Sequence, residues 1–323
     1  MRIYQIIMPV VVLLIICMSG CSKEFSPEAD LEDKPVVYSI INHHDSKHYI
    51  RISRSFIQAI TGETISAPVY NPDSLDVFLE VYRYDQKVGY TIFMTPEYVE
   101  KDTGLFEANS QLIYSTDVNL VGDSECRLTI LNNHTGESYS SSCNIFSLTS
   151  FKPLVVSNLS RLNFNSISGV FFYEVYCLFH YAEVSETDTV FKTARYPIGT
   201  IINSTKEENK EMSISLERPD WWGFLGSHIP VDPDLKRYAF ERPLEFRILV
   251  GDQYLFDYRR SFSGFETMIH TGQSFSNIQG GFGIFCSYDD KTIFFQAMLP
   301  NWYDKLAEHA ETKELNFLNH PWQ

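Results

Sequence analysis

In Leu75-Asp76-Val77-Phe78-Leu79-Glu80-Val81-Tyr82, leucine or valine occupies every second position, and Asp76 and Glu80 lie between them. Because successive side chains of a β-strand point to opposite faces, this pattern predicts a strand that buries one face. The same period of two recurs along most of the chain, and helical periodicity is limited to residues 219–227 and 302–310. The sequence therefore predicts an all-β protein.

Further strand patterns follow at short intervals on both sides of this segment. In the first half they cover 36–42, 49–57, 88–95, 126–131 and 138–145. In the second half they cover 169–184, 244–250, 253–259 and 313–318, with a tight turn at Gly251-Asp252. We expect two β-sandwich domains that share no sheet and meet near Lys152-Pro153. The first is an Ig-like sandwich at 35–148, and the second is larger, at 149–323, with one or two short helices.

The N-terminus has the layout of a secretory signal. A basic start at Met1-Arg2 precedes the apolar run 6–16, which is too short to span a bilayer core of about 30 Å. Met18-Ser19-Gly20-Cys21 resembles the lipobox of bacterial lipoproteins, although leucine is usual where Met18 stands. The resemblance implies that residues 1–20 are removed and that Cys21 carries lipid. An ordinary cleaved signal and a membrane-spanning anchor are the alternatives.

The composition and the residues after Cys21 indicate where the chain lies. Residues 21–34 are polar and acidic, which predicts a flexible, lipidated tether. Ser22-Lys23-Glu24 lacks the aspartate of the enterobacterial inner-membrane retention signal and partly resembles the surface-export signal of Bacteroidetes lipoproteins. The net charge of −15 argues against nucleic acid as a partner and against an electrostatic membrane-binding face. We expect an outer-membrane protein that is held there by its lipid.

Several stretches carry a resemblance to a known family, among them Pro35-Val36-Val37-Tyr38-Ser39-Ile40-Ile41-Asn42 and Ser276-Asn277-Ile278-Gln279-Gly280-Gly281-Phe282-Gly283-Ile284-Phe285. The others are 45–52, 101–106, 126–130 and 312–317. Together they resemble a family of Bacteroidetes outer-membrane lipoproteins of unknown function. The resemblance implies an Ig-like N-terminal half, a second β-domain and a gene that is often close to that of a TonB-dependent receptor. It implies no catalytic residue.

Catalytic motifs are missing from the sequence. It contains no G-x-S-x-G, no H-E-x-x-H, no phosphate-binding loop and no paired C-x-x-C, so we predict a non-enzymatic protein without a cofactor. His43, His44, Asp45 and His48 form the best metal-like cluster. Adjacent residues of a strand point to opposite faces, however, and a hairpin tip is ordinarily polar, so we favour a solvated turn and expect no metal.

Trp221-Trp222 is the most prominent candidate for ligand binding. Exposed aromatic pairs can stack on sugar rings. In the alternative interpretation, which we favour, one tryptophan pins a short helix to the sandwich together with Phe224 and Leu225.

A disulfide is predicted between Cys126 and Cys143, because exported proteins pass through an oxidising compartment. If the hairpin turns symmetrically about His134-Thr135, Cys126 lies directly opposite Cys143. A bridge that closes so short a loop contributes about 3 kcal/mol on the chain-entropy model. The alternative is a pair of small buried cysteines that never join.

Two classes of function remain open at this point. The first is a binding or accessory lipoprotein at the outer membrane, with a TonB-dependent transporter as partner and a glycan or peptide as ligand. The second is a hydrolase that acts on glycan or peptide. An adhesin or another structural surface protein is a third alternative.

Overall fold

Strands dominate the protein, as the alternation predicts. The computed structural model describes residues 34–54, 70–100, 110–155, 161–216, 220–263 and 276–322. These residues form fifteen strands in three sheets and three α-helices. The predicted signal at 1–20, Cys21 and the tether up to residue 33 lie outside the described residues. Among the described helices, none combines the length and the apolar character needed to cross a bilayer.

The largest sheet has eight strands in the order β12-β11-β14-β15-β1-β2-β6-β5. β1 pairs in parallel with β15, and the other pairs of neighbours are antiparallel. The bounds in the first half are β1 Pro35–Ile41, β2 His48–Arg54, β5 Thr95–Glu100 and β6 Ser110–Thr116. Those in the second half are β11 Phe172–Val184, β12 Thr189–Ile202, β14 Lys236–Gly251 and β15 Phe282–Gln296.

A four-stranded antiparallel sheet in the order β4-β3-β7-β8 covers one face of the first half. Its strands are β3 Leu75–Arg83, β4 Gln86–Phe93, β7 Ser124–Asn132 and β8 Ser138–Ile145. Leu75, Val77, Leu79 and Val81 are buried, as the alternation predicts. They pack in one core with apolar side chains of β1, β2, β6 and β15, so this core lies between the two sheets.

A second core fills the other half of the molecule. It lies between β11 and β14 of the large sheet and a three-stranded sheet in the order β13-β10-β9. The short strands are β9 Leu154–Val155, β10 Arg161–Asn165 and β13 Glu211–Ser215. Helices α1 (Trp221–His228) and α3 (Pro300–Glu308) add side chains to it. Helix α2 (Gln253–Ser263) contributes Leu255 to a third, smaller cluster with Phe172, Ile284 and Cys286.

The continuous sheet corrects the expectation that no sheet crosses the boundary near Lys152-Pro153. The two cores divide between Ile145 and Phe146, yet β15 of the second half pairs with β1 and places Phe285 in the first core. The pairing of β1 with β15 joins the two ends of the chain. No local pattern in the sequence predicts this pairing, because the register of a parallel pair is set by side chains that are far apart in sequence.

Two predicted strands are wrong. Residues 253–259 belong to helix α2, because Asp252 caps the helix instead of turning a hairpin: the backbone N–H of Leu255 donates to Asp252 Oδ1 at 2.8 Å. Residues 313–318 form a 3₁₀ turn at Lys313–Leu315 and a single bridge from Phe317 to Arg237. The two predicted helices are confirmed as α1 and α3.

Candidate functional site

An open cleft of about 1320 Å³ lies between the first half and the three-stranded sheet. One wall consists of the β3–β4 turn, the start of β7 and the end of β8, and the other of β10 and the start of β13. The segment that follows β8 lines its base, with Phe146 and Phe151 among the contributing residues. Both halves of the chain therefore contribute to this cleft, which is large enough for several sugar units or a short peptide.

Tyr84 lines the cleft and has an unusual backbone conformation. It and Asp85 form the two-residue turn between β3 and β4, with φ values of 52° and 60°. Glycine or asparagine is preferred at such positions, because a β-carbon is crowded there. Nevertheless the Tyr84 side chain is 93% exposed, so no burial in the fold offsets the strain. A bulky residue held in this way is a candidate for ligand contact.

The neighbouring arginine fixes the position of this turn. The Arg83 guanidinium donates to the backbone carbonyls of Gly122 at 2.6 Å and Asp123 at 3.3 Å. The lining residues of the cleft include five acidic side chains and three basic ones, so its walls are polar and slightly acidic. This balance disfavours an anionic ligand. Aromatic and hydroxyl-bearing side chains beside these charges suit a neutral ligand rich in hydroxyl groups.

A second group of side chains converges at the β1–β2 turn. A ring nitrogen of His43, a ring nitrogen of His44 and a carboxylate oxygen of Asp289 all lie within 4.8 Å of one another. His44 Nε2 is 3.4 Å from Asp289 Oδ1, and the two imidazole centroids are 3.9 Å apart. Histidine nitrogens and a carboxylate are the donors that a zinc-like ion prefers.

The charges of this group are shaped by burial. Burial raises the pKa of the Asp289 carboxyl, although the N–H of Leu148 donates to Oδ2 at 2.6 Å and opposes the rise. Burial also lowers the pKa of His43, against the attraction of Asp289. The Nδ1 atom of His43 is buried and has no hydrogen-bond partner in the part of the chain that the structure describes.

The metal-like cluster suggested by the sequence is therefore only half right. His43 and His44 do come together, but their carboxylate partner is Asp289 of β15 and not Asp45. The alternation of strand faces does not apply to the two histidines, because both lie in a turn. His48 begins β2 and is buried. Asp289 is missing from the sequence prediction because it is remote along the chain.

The tryptophan pair belongs to the second core. Trp221 is buried and makes edge contacts with Phe179 and Tyr196, which argues against its suggested role in ligand binding. Trp222 is half-buried and stacks on His309, with ring centroids 5.1 Å apart. The favoured interpretation, that a tryptophan pins the short helix, agrees with this packing.

The predicted register of the cysteine hairpin is confirmed. Cys126 pairs directly with Cys143, and Leu128 and Ile130 pair with Ser141 and Tyr139. Both cysteines are buried as free thiols in the structure, so the bond itself stays a prediction. Burial raises the pKa of the Cys126 thiol to about 12. Because the thiolate is the reactive form, a bridge would have to form before this core closes.

One polar network escaped the sequence analysis. His180 Nδ1 lies 3.0 Å from Thr193 Oγ1, and His180 Nε2 lies 3.0 Å from Glu245 Oε2. A hydroxyl, an imidazole and a carboxylate in this order resemble the arrangement that activates a nucleophile. The three residues lie on three different strands, β12, β11 and β14, so no sequence spacing indicates the group.

Comparison of the sequence with models of protein families and with curated proteins gives no significant match.

Proposed function

We propose that this chain is a non-enzymatic, lipid-anchored protein of the outer membrane that binds a neutral glycan in the cleft beside Tyr84. The observation that carries the proposal is the exposure of Tyr84 in a strained turn that lines a cleft of about 1320 Å³. An exposed aromatic ring can stack on a sugar ring, and a tyrosine has only two side-chain torsions to order when it does so. The slightly acidic walls favour a neutral ligand over an anionic one.

The anchor and the location rest on the sequence. The lipobox-like Met18-Ser19-Gly20-Cys21 supports lipidation at Cys21, and the resemblance to Bacteroidetes lipoproteins supports the outer membrane. We propose further that the first half is an Ig-like sandwich, which the core between the four-stranded sheet and β1, β2 and β6 supports. A TonB-dependent transporter is the partner that the family resemblance implies. In that arrangement the cleft would present glycan to the transporter.

Calorimetric titration tests the ligand. The full mature chain, purified in detergent, is titrated with a panel of neutral oligosaccharides and, in parallel, with short peptides. Stacking contributes about 0.5–1.5 kcal/mol, so Tyr84→Ala should weaken glycan binding roughly two- to tenfold. Tyr90→Ala is the matched control, because Tyr90 is 92% exposed on the adjacent strand β4 but does not line the cleft. Equal affinities of both variants, or binding of peptides alone, would contradict the proposal.

Labelling with radioactive palmitate tests the anchor. Wild-type protein should incorporate the label and Cys21→Ala should not, because the thiol that carries the diacylglycerol is then missing. Labelling that survives the substitution would refute lipidation at Cys21. Recovery of a TonB-dependent receptor with the wild-type protein from native membranes, and not from membranes of a strain without it, would support the proposed partner.

The alternative function, a glycan- or peptide-acting hydrolase, gains one observation from the structure. Thr193, His180 and Glu245 have the order of a nucleophile, a base and an orienting acid. If they catalyse hydrolysis, wild-type protein turns over a substrate in the same panel and Thr193→Val does not. Binding without turnover favours the non-enzymatic proposal.

A further inference from the structure

We propose that His43, His44 and Asp289 form a binding site for a divalent transition-metal ion of the zinc class. Their three donor atoms already lie within 4.8 Å of one another. In a tetrahedral site with bonds of about 2.0–2.1 Å, neighbouring donor atoms stand about 3.4 Å apart. His44 Nε2 and Asp289 Oδ1 are separated by 3.4 Å. Small rotations of the His43 ring would complete the set, and two histidines with one carboxylate are a common metal-binding combination.

The turn that carries the histidines is held in place by its own hydrogen bonds. The N–H of Asp45 donates to the carbonyl of Asn42 at 3.1 Å, and the N–H of His44 donates to Asn42 Oδ1 at 2.9 Å. His43 and His44 therefore occupy the two central positions of a β-turn. From there a ring nitrogen of each histidine lies within 4.8 Å of a carboxylate oxygen of Asp289. The histidine ligands are thus preorganised without an ion.

The unpartnered nitrogen of His43 is an independent indication of a ligand. Its Nδ1 atom is buried and has no hydrogen-bond partner among the described residues. Buried polar atoms are rarely left without a partner, because the loss of water costs about 1–3 kcal/mol. A metal ion bound through Nδ1 would supply the interaction that the protein does not.

Asp289 has the surroundings of a ligating carboxylate. It is fully buried, and within the described part of the chain its one ion-pair partner is the exposed His44. The nearby Lys291 ammonium donates instead to the carbonyls of Leu148 and Phe151. Buried charges are ordinarily paired or bound to metal. The N–H groups of Leu148 and Asp290 orient the two carboxylate oxygens at 2.6 and 2.8 Å, as outer partners of metal ligands do.

The site is open on one side. The His44 side chain is 60% exposed, so an ion can enter from solvent and keep a water molecule as its fourth ligand. The bound ion would tie the β1–β2 turn to β15. Because only the folded chain brings these donors together, the ion would also stabilise the native state.

Equilibrium dialysis against Zn²⁺, followed by elemental analysis of the full mature chain, tests the site. We expect one ion per chain, and Co²⁺ in its place should give the visible absorption of a low-coordinate site. His44→Ala and Asp289→Asn should each weaken Zn²⁺ binding by about 100-fold or more, because even outer-partner substitutions cost about 10–100-fold. His134→Ala is the matched control. His134 is also exposed in a hairpin turn, and its backbone N–H donates to the Asn132 side chain as that of His44 donates to the Asn42 side chain.

His44→Ala is the decisive variant, because an exposed turn residue can be replaced without loss of the fold. Wild-type affinity for Zn²⁺ in His44→Ala, or a loss of affinity equal to that in His134→Ala, would overturn the assignment. A wild-type chain that takes up less than one ion in five chains at micromolar free Zn²⁺ would overturn it as well. Zn²⁺ should also raise the thermal midpoint of the wild type and leave that of folded His44→Ala unchanged.

Discussion

Replacement of Arg237 with methionine should destabilise the protein far more than most surface substitutions do. The Arg237 side chain is fully buried and forms an ion pair with Glu183, with Nη2 and Oε1 2.8 Å apart. Its other donors reach the carbonyls of Leu315 at 2.8 Å and Pro230 at 2.9 Å. Methionine has a similar length but no donor, so the Glu183 carboxylate and both carbonyls lose their partner. Breaking a buried pair in this way costs about 3–5 kcal/mol.

Urea unfolding followed by tryptophan fluorescence measures this loss. A double-mutant cycle with Glu183→Gln separates the ion pair from the packing of the methionine. The double variant leaves no charge without a partner, so its loss should be smaller than the sum of the single losses by at least about 1 kcal/mol. A loss below about 1 kcal/mol in Arg237→Met, or strictly additive losses, would refute the reasoning.

Three further predictions concern other parts of the fold. Burial raises the pKa of Asp252 from 3.8 to about 6, so its contribution to the unfolding free energy falls as the pH rises from about 4 through 6. Asp252→Asn keeps the helix cap and should raise the urea midpoint at pH 7.5 but not at pH 4. The gain in unfolding free energy at pH 7.5 should be about 1–3 kcal/mol, and an equal change at both pH values would contradict this. At Gly283 the φ of +103° and the closeness of the β1 backbone leave no room for a β-carbon, so Gly283→Ala should be destabilising. The loss should exceed that of Gly136→Ala in an open turn, where only backbone strain of about 1–3 kcal/mol is expected. Comparable urea midpoints for these two variants would show that the contact between β1 and β15 tolerates a β-carbon at position 283. Protein recovered from an oxidising compartment should lack the mass of two hydrogens and carry a Cys126–Cys143 bridge, and thiol counting that finds both cysteines free after denaturation would exclude it.

The parts of the fold that the sequence predicts well are those decided by neighbours along the chain. The strand at Leu75–Arg83 follows from its own alternation, and the pairing of Cys126 with Cys143 follows from a symmetric hairpin. The sixteen-residue pattern at 169–184 also places Tyr173, Val175 and Cys177 on one face, and all three lie in the second core. In each case the spacing of side chains along one segment is enough to predict the strand and the face that it buries.

The parts that escaped prediction depend on contacts between remote segments. Helix α2 is an exception, because Gly251-Asp252 has the composition of a hairpin turn but Asp252 makes a local capping bond with Leu255 instead. The parallel pairing of β1 with β15 has no local signature. For the same reason Asp289 could not be joined to His43 and His44 from the sequence. The candidate sites are harder to predict than the fold, because each of them brings together segments that are separated in the sequence.

The parallel junction between β1 and β15 also governs when the chain can become native. The Cys286 thiol donates to the carbonyl of Ser39 across this junction, although the two residues are 247 positions apart. β1 lies near the start of the described chain and β15 near its end, so β1 waits until almost the whole chain has been delivered. During that time its open edge can recruit strands from other chains. The topology therefore leaves this edge unpaired until β15 arrives, and a fragment that ends near residue 148 would leave it unpaired permanently.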